Sequence, residues 1–130
     1  MDDRMVEDAY IAKQKSEPHI SGYKVGASIK TDQGVFTGCN METMIHTGSI
    51  HAEIHATAKA LFEGATEAYS LCVVVEDRPF YPCGMCRQVL YEKWGGSLVV
   101  CAKADTDGGF AALEEKTLRE LLPGGFRVED

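Results

Sequence analysis

The chain has 130 residues, 45% apolar and 25% charged, an ordinary globular composition that sets it apart from disordered and fibrous chains. Thirteen basic residues against twenty acidic ones leave a net charge of −7, so there is no electrostatic footprint for duplex nucleic acid or an anionic membrane. No apolar run is long enough to span a bilayer, and Met1-Asp2-Asp3-Arg4 opens with acid where a signal peptide carries an apolar segment.

A single domain over residues 1–130 is expected from this length. Residues 2–15 read as a first helix, with Asp2 and Asp3 at its positive end and Met5, Ala9 and Ala12 on one face. Tyr23, Val25, Ala27 and Ile29 then alternate with Lys24, Gly26, Ser28 and Lys30, as a half-buried strand does. Asp32-Gln33-Gly34 turns the chain, and residues 35–39 return as the hairpin partner. From His51 the period becomes helical: Ile54, Ala58, Leu61 and Phe62 fall at helical spacing, and Gly64 is a stop. Leu71-Cys72-Val73-Val74-Val75 has the continuous apolar character of a strand covered on both faces. Cys86, Val89, Leu90 and Trp94 mark a further helix ended by Gly95-Gly96. Residues 98–101 form another buried strand, and a short one is expected near Phe110. Leu118, Leu121 and Leu122 make a last short helix before Pro123, and Glu129-Asp130 reads as a solvated end. This order predicts a three-layer α/β domain with a mixed sheet.

Five cysteines in a chain without an export signal are expected to stay reduced in the cytoplasm, as core thiols, metal ligands or reactive groups. Cys39, Cys72 and Cys101 fall in strand patterns and read as small core residues. Two clusters remain: His51-Ala52-Glu53 and Pro82-Cys83-Gly84-Met85-Cys86, each at a predicted helix start. Cys-x-x-Cys at a helix start turns both sulfurs to one point, where the helix dipole favours thiolate. Two thiolates and one imidazole make three zinc ligands and keep a fourth position for water, the mark of a catalytic site. Glu53, two residues after His51, stands where a proton shuttle is needed. Two other readings stay open. Cys83 and Cys86 could be a redox pair between a strand and a helix. A fourth ligand such as His55 could close the zinc site and make it structural. His46, just before the first cluster, is a candidate for a substrate loop.

His-x-Glu followed by Pro-Cys-x-x-Cys is the signature of nucleobase zinc deaminases. The sequence resembles the cytidine deaminases over nearly its whole length. Tyr23-Lys24-Val25-Gly26-Ala27, Gly38-Cys39-Asn40-Met41-Glu42, the two zinc motifs and Glu120-Leu121-Leu122-Pro123-Gly124-Gly125-Phe126 are similar to family segments in the family's order. The resemblance implies a cytidine-deaminase-like domain with a mixed five-stranded sheet flanked by helices. It implies Zn2+ held by His51, Cys83 and Cys86, with Glu53 moving protons during attack at C4 of cytidine or deoxycytidine. Asn40 and Glu42 would bind a ribose hydroxyl, the backbone of Ala52 the base edge, and Tyr23 would pack over the pyrimidine or sugar. Phe126 would stack on the base in a neighbouring subunit. The resemblance further implies a soluble enzyme of pyrimidine salvage, without nucleic-acid or membrane partners, with a homotetramer favoured over a dimer. Many short members place Cys and Arg where this chain has His51 and Ile54. An imidazole in place of a thiolate removes one negative charge, so the offsetting Arg is not needed. Thr47-Gly48 is similar to the related blasticidin S deaminases, which leaves another aminopyrimidine nucleoside as the alternative substrate.

Overall fold

The computed structural model describes residues 2–106 and 109–127. The expected solvated end at Glu129-Asp130 lies outside them. Among the described residues no helix is long and apolar enough to cross a membrane.

The elements follow in the order α1 (Asp3–Lys13), β1 (Gly26–Thr31), β2 (Gly34–Cys39), α2 (Ala52–Phe62), β3 (Ala68–Glu76), α3 (Gly84–Trp94), β4 (Val99–Thr106), β5 (Gly109–Ala112), β6 (Lys116–Thr117) and α4 (Leu118–Leu121). The sheet runs β2-β1-β3-β4-β5, with the two-residue β6 also paired to β4. Only β3 and β4 are parallel, joined by the crossover through α3; every other pairing is antiparallel. This is the expected mixed α/β sheet, extended by the short β6.

Alternation along β3 sends side chains to two cores. Cys72 and Val74 meet Met5, Val6 and Ala9 of α1 on one face. Leu71, Val73 and Val75 join Ala52, Ala56, Leu90 and Trp94 on the other, under α2 and α3. Trp94 Nε1 donates to Thr57 Oγ1 at 3.2 Å, which satisfies both polar groups inside the second core. Glu76 of β3 and Asp105 of β4 are register partners, and like charges side by side repel. The buried Lys13 ammonium lies 3.6 Å from Glu76 and 3.4 Å from Asp105, so it neutralises the pair and ties α1 to the sheet.

Three expectations need correction, one of them the strand expected at 98–101, which runs on to Thr106 as β4. The first strand does not begin at Tyr23. Its ladder starts at Gly26; beyond it one backbone bond remains, Asn40 N to Val25 O at 3.2 Å, and the Asn40 side chain takes over, accepting from Val25 N and donating to Tyr23 O, each at 2.8 Å. The face of α2 is also rotated. Ala52, Ala56 and Ala60 are buried, while Ala58, Leu61 and Phe62 are exposed, Phe62 to 88%. The cause is close approach of helix and sheet. A Cβ on Gly38 would stand 2.5 Å from Ala56 N and 2.6 Å from Ala52 O, so only small residues fit between β2 and α2. Gly26 does the same for α1, where a Cβ would meet Ala9 O at 2.0 Å.

Gly38→Ala is therefore expected to push α2 off the sheet and to cost about 2 kcal/mol of stability, an overpacking penalty. Gly84→Ala, where nothing lies within 4 Å, is expected to stay within about 0.5 kcal/mol of the parent. Paired urea unfolding curves measure both.

Candidate metal centre and active site

The site lies where α2 and α3 begin. His51 is the N-cap of α2 and Cys83 that of α3, and neither helix has a side-chain cap hydrogen bond. Elsewhere capping is ordinary: Asp2 accepts from Arg4 N at the start of α1, and Thr117 with Glu120 forms a capping box on α4. The two uncapped N-termini present free N–H groups and the positive ends of their dipoles to one place. His51 Nδ1 lies 3.2 Å from Cys86 Sγ and 3.5 Å from Cys83 Sγ. Among the described residues this is the only group of three or more His, Cys, Asp or Glu side chains close enough to hold a metal, with all ligand atoms within 4.8 Å of one another. A tetrahedral zinc at ordinary bond lengths separates its nitrogen and sulfur ligands by roughly 3.5 Å, so the three residues fit it. Electrostatics point the same way. Burial first, then the neighbouring Glu53 and Cys83, push the Cys86 thiol up, and a divalent cation is the group that reverses this and leaves thiolates.

A cavity of about 500 Å³ opens in front of this cluster. His51, Ala52, Glu53 and Cys83 line one end; Tyr23, Asn40, Glu42, His46, Ser49 and Phe80 are among its walls. Glu53 is buried, and its burial pushes the carboxyl pKa up, partly offset by its backbone hydrogen bond, His51 and Cys86. The Tyr23 ring stands 5.7 Å from that of Phe80, and its hydroxyl donates to the Glu76 carbonyl. Asn40 uses its amide to pin Tyr23 and Val25 while lining the cavity. Glu42 Oε1 accepts from Ile20 N at 3.0 Å and Ser21 N at 2.8 Å, and its Oε2 accepts from Ser21 Oγ at 2.8 Å. These bonds, Ser21's above all, hold its carboxyl below the usual range.

The structure thus brings eight of the nine expected site residues together: His51, Cys83 and Cys86 in the cluster, Glu53 beside Cys86, and Tyr23, Asn40, Glu42 and Ala52 on the cavity. Phe126 stands apart, 65% exposed, with its carbonyl held by Gln88 Nε2. His55 is outside the metal cluster: its Nδ1 lies 3.1 Å from Cys39 N and 3.2 Å from Cys39 O. It closes the open edge of β2 and is not a fourth ligand. Cys72 and Cys101 are buried in β3 and β4, and desolvation pushes the Cys72 thiol up to about 12, so it is an inert core group. Phe80 carries no sequence signal of its role, and Arg87 is marked only by its place in the segment 82–88 that matches the second zinc motif. Arg87 donates to Pro82 O at 2.7 Å and Leu121 O at 2.9 Å, which fixes the turn that delivers Cys83.

A family model described as the cytidine and deoxycytidylate deaminase zinc-binding region matches residues 1–102. The chain belongs to this family. A cytidine deaminase of Sporosarcina psychrophila is 32% identical over 98% of this chain and 93% of its own length. One of Halalkalibacterium halodurans is 35% identical over 97% of this chain and 94% of its own. The crystal structure of the cytidine deaminase from Burkholderia pseudomallei superposes with a TM-score of 0.87 at 32% identity, covering 97% of this chain and 99% of that one. For a deaminase of this family the donor set and the cavity agree on an open zinc site, and the redox reading of Cys83 and Cys86 falls away, because both sulfurs face His51.

The isolated protein is expected to carry one zinc per chain by metal analysis. Cys86→Ala and His51→Ala are expected to lose it, and His55→Ala to keep it. Zinc retained in the first two or lost in the third would reassign the ligands.

Proposed function

We propose that this deaminase hydrolyses cytidine and deoxycytidine to uridine and deoxyuridine with release of ammonia. One observation carries the reading: a buried carboxylate, Glu53, opens onto the same cavity as the His51, Cys83 and Cys86 cluster of a family whose relatives here are cytidine deaminases. In this reading His51, Cys83 and Cys86 hold Zn2+. The chemistry a bound zinc supplies is to make water a nucleophile near neutral pH. Glu53 takes a proton from the attacking water and delivers it to ring N3. It then carries the second proton to the amino nitrogen, so that a C4–O bond forms, the C4–N bond breaks and ammonia leaves. Its placement in an apolar, enclosed site suits a group that must both accept and donate. The Ala52 backbone meets the base edge, Tyr23 packs along base or sugar, and Asn40 and Glu42 take a secondary sugar hydroxyl. Phe126, exposed here, is assigned to a neighbouring subunit's base.

Cavity charge supports a nucleoside over a nucleotide. Among the described residues two carboxylates line it and no lysine or arginine does, so a phosphate would meet repulsion without a lysine or arginine to offset it. A homo-oligomer would cover the exposed apolar side chains of Phe62, Met44, Ile45 and Phe126, and the likeness to short cytidine deaminases favours a tetramer. A role in pyrimidine salvage and a reducing cytoplasmic location complete the proposal, together with one domain over 1–130; thiolate ligands persist where disulfides do not form.

Glu53→Gln is expected to keep its zinc and lose about 10³-fold in kcat, the range of a general acid–base group. Loss of absorbance as cytidine becomes uridine measures it. Turnover at the wild-type rate would remove Glu53 from the mechanism.

A further inference from the structure

A second pocket, of about 210 Å³, lies between α1, α2 and the outer strand β2, and shares no lining residue with the catalytic cavity. Asp8 and Lys15 of α1, Thr37 and Cys39 of β2, and His55 and Lys59 of α2 form its polar walls. The backbone of β2 adds to them. Asn40 N bonds Val25 O across the hairpin, so by the alternation of an antiparallel pair Thr37 and Cys39 turn their N–H and C=O groups away from β1. His55 Nδ1 stands against those of Cys39, 3.1 Å from N and 3.2 Å from O, while those of Thr37 have no strand beyond them. With Nδ1 accepting from Cys39 N, the ring proton of His55 sits on Nε2, a donor left for another group. Among the described residues neither the Lys15 nor the Lys59 ammonium has a hydrogen bond or an ion pair, not even with Asp8. Both act on the same wall: burial pushes the Cys39 thiol up, Lys59 and Lys15 act against this, and Glu17 acts with it.

We propose that this pocket binds a phosphate group, free or as a monoester, held by Lys15 and Lys59 with further donors from Thr37 and His55. Two ammonium groups against one carboxylate leave the pocket positive in a chain of net charge −7. Long, flexible ammonium side chains on two helices can close on an ion from either side, and fixed N–H and O–H donors then orient it. The volume lies below the roughly 300 Å³ at which pockets for larger ligands begin, so it suits a phosphate and not a whole nucleotide. Asp8 limits the affinity, since its carboxylate faces the same ion. The catalytic cavity, with carboxylates and no lysine or arginine, turns away the group that this pocket takes. The site is separate from the zinc centre and independent of the substrate deaminated there.

The test titrates zinc-replete protein with inorganic phosphate and with ribose 5-phosphate, followed by phosphorus NMR. It compares wild type with Lys15→Met, Lys59→Met, both together, and Asp8→Asn, with circular dichroism and zinc content confirming each fold. Wild type is expected to bind one phosphate group per chain. Each lysine variant is expected to weaken binding by about fivefold, and Asp8→Asn to tighten it by about twofold, the size of single exposed charge contacts. Turnover of cytidine in the absence of phosphate is expected to stay within about twofold in all of them, since none of these residues lines the catalytic cavity. Tighter binding of ribose 5-phosphate supports the site as one for a phosphomonoester, and tighter binding of inorganic phosphate as one for the free ion. A wild type that binds neither overturns the proposal. So does binding that the double variant retains in full, which would place the ion at the zinc. Phosphate binding that follows the lysines in a protein without turnover of cytidine supports this site and overturns only the activity.

Discussion

Two helix N-termini meet at one point, and the site depends on what sits between them. The positive ends of α2 and α3 are brought together with His51 and Cys83 in the capping positions, and neither residue caps. Forgoing a cap costs about 1 kcal/mol per helix. Anionic sulfur offsets this, because thiolates at Cys83 and Cys86 answer both dipoles and the free N–H groups. Two thiolates and a buried carboxylate beside each other would in turn repel, and a zinc dication resolves that. With a neutral imidazole as third ligand the set is formally neutral, so the centre can still acidify water. Helix placement, ligand identity and chemistry are therefore one constraint.

The sheet serves this meeting point by fixing where the helices start. Gly38 lets α2 lie against β2 backbone to backbone, and the core face of α2 is alanine for the same reason. Asn40 ends the β1–β2 ladder with its side chain and bends the chain into the cavity wall. Arg87 holds the turn before Cys83 from two carbonyls. Lys13 secures the carboxyl ends of β3 and β4 against their own charge. Each of these residues joins separate segments of the chain, so the cavity is shaped by the joints of the fold.

The motifs made the metal centre legible, because coordination demands particular residues at particular spacing, and His51, Glu53, Cys83 and Cys86 allow few other chemistries. The strands followed from their apolar runs. The start of β1 was not legible, since Tyr23 and Val25 continue the alternation although a side chain replaces their ladder. The face of α2 was misread because Ile54, Leu61 and Phe62 outweigh three alanines in any hydrophobic pattern, and the glycine that demands those alanines lies on another element. β4 extends to Thr106 through Lys103 and Asp105, charges that read as loop until Lys13 is seen to reach Asp105. The cavity wall from Phe80 is a tertiary fact with no local signature, whereas His46 was legible from its place just before the first zinc cluster.

The chemistry is a metal-dependent exchange of an amino group for oxygen on a neutral nucleoside. The most direct measurement follows ammonia and uridine together when zinc-replete protein meets cytidine, then repeats it after chelation and after zinc is restored. The account predicts equal amounts of the two products, loss of both on chelation and their return with zinc. Zinc-replete protein that releases neither, or turnover that is indifferent to chelation with the metal shown to be removed, would contradict it.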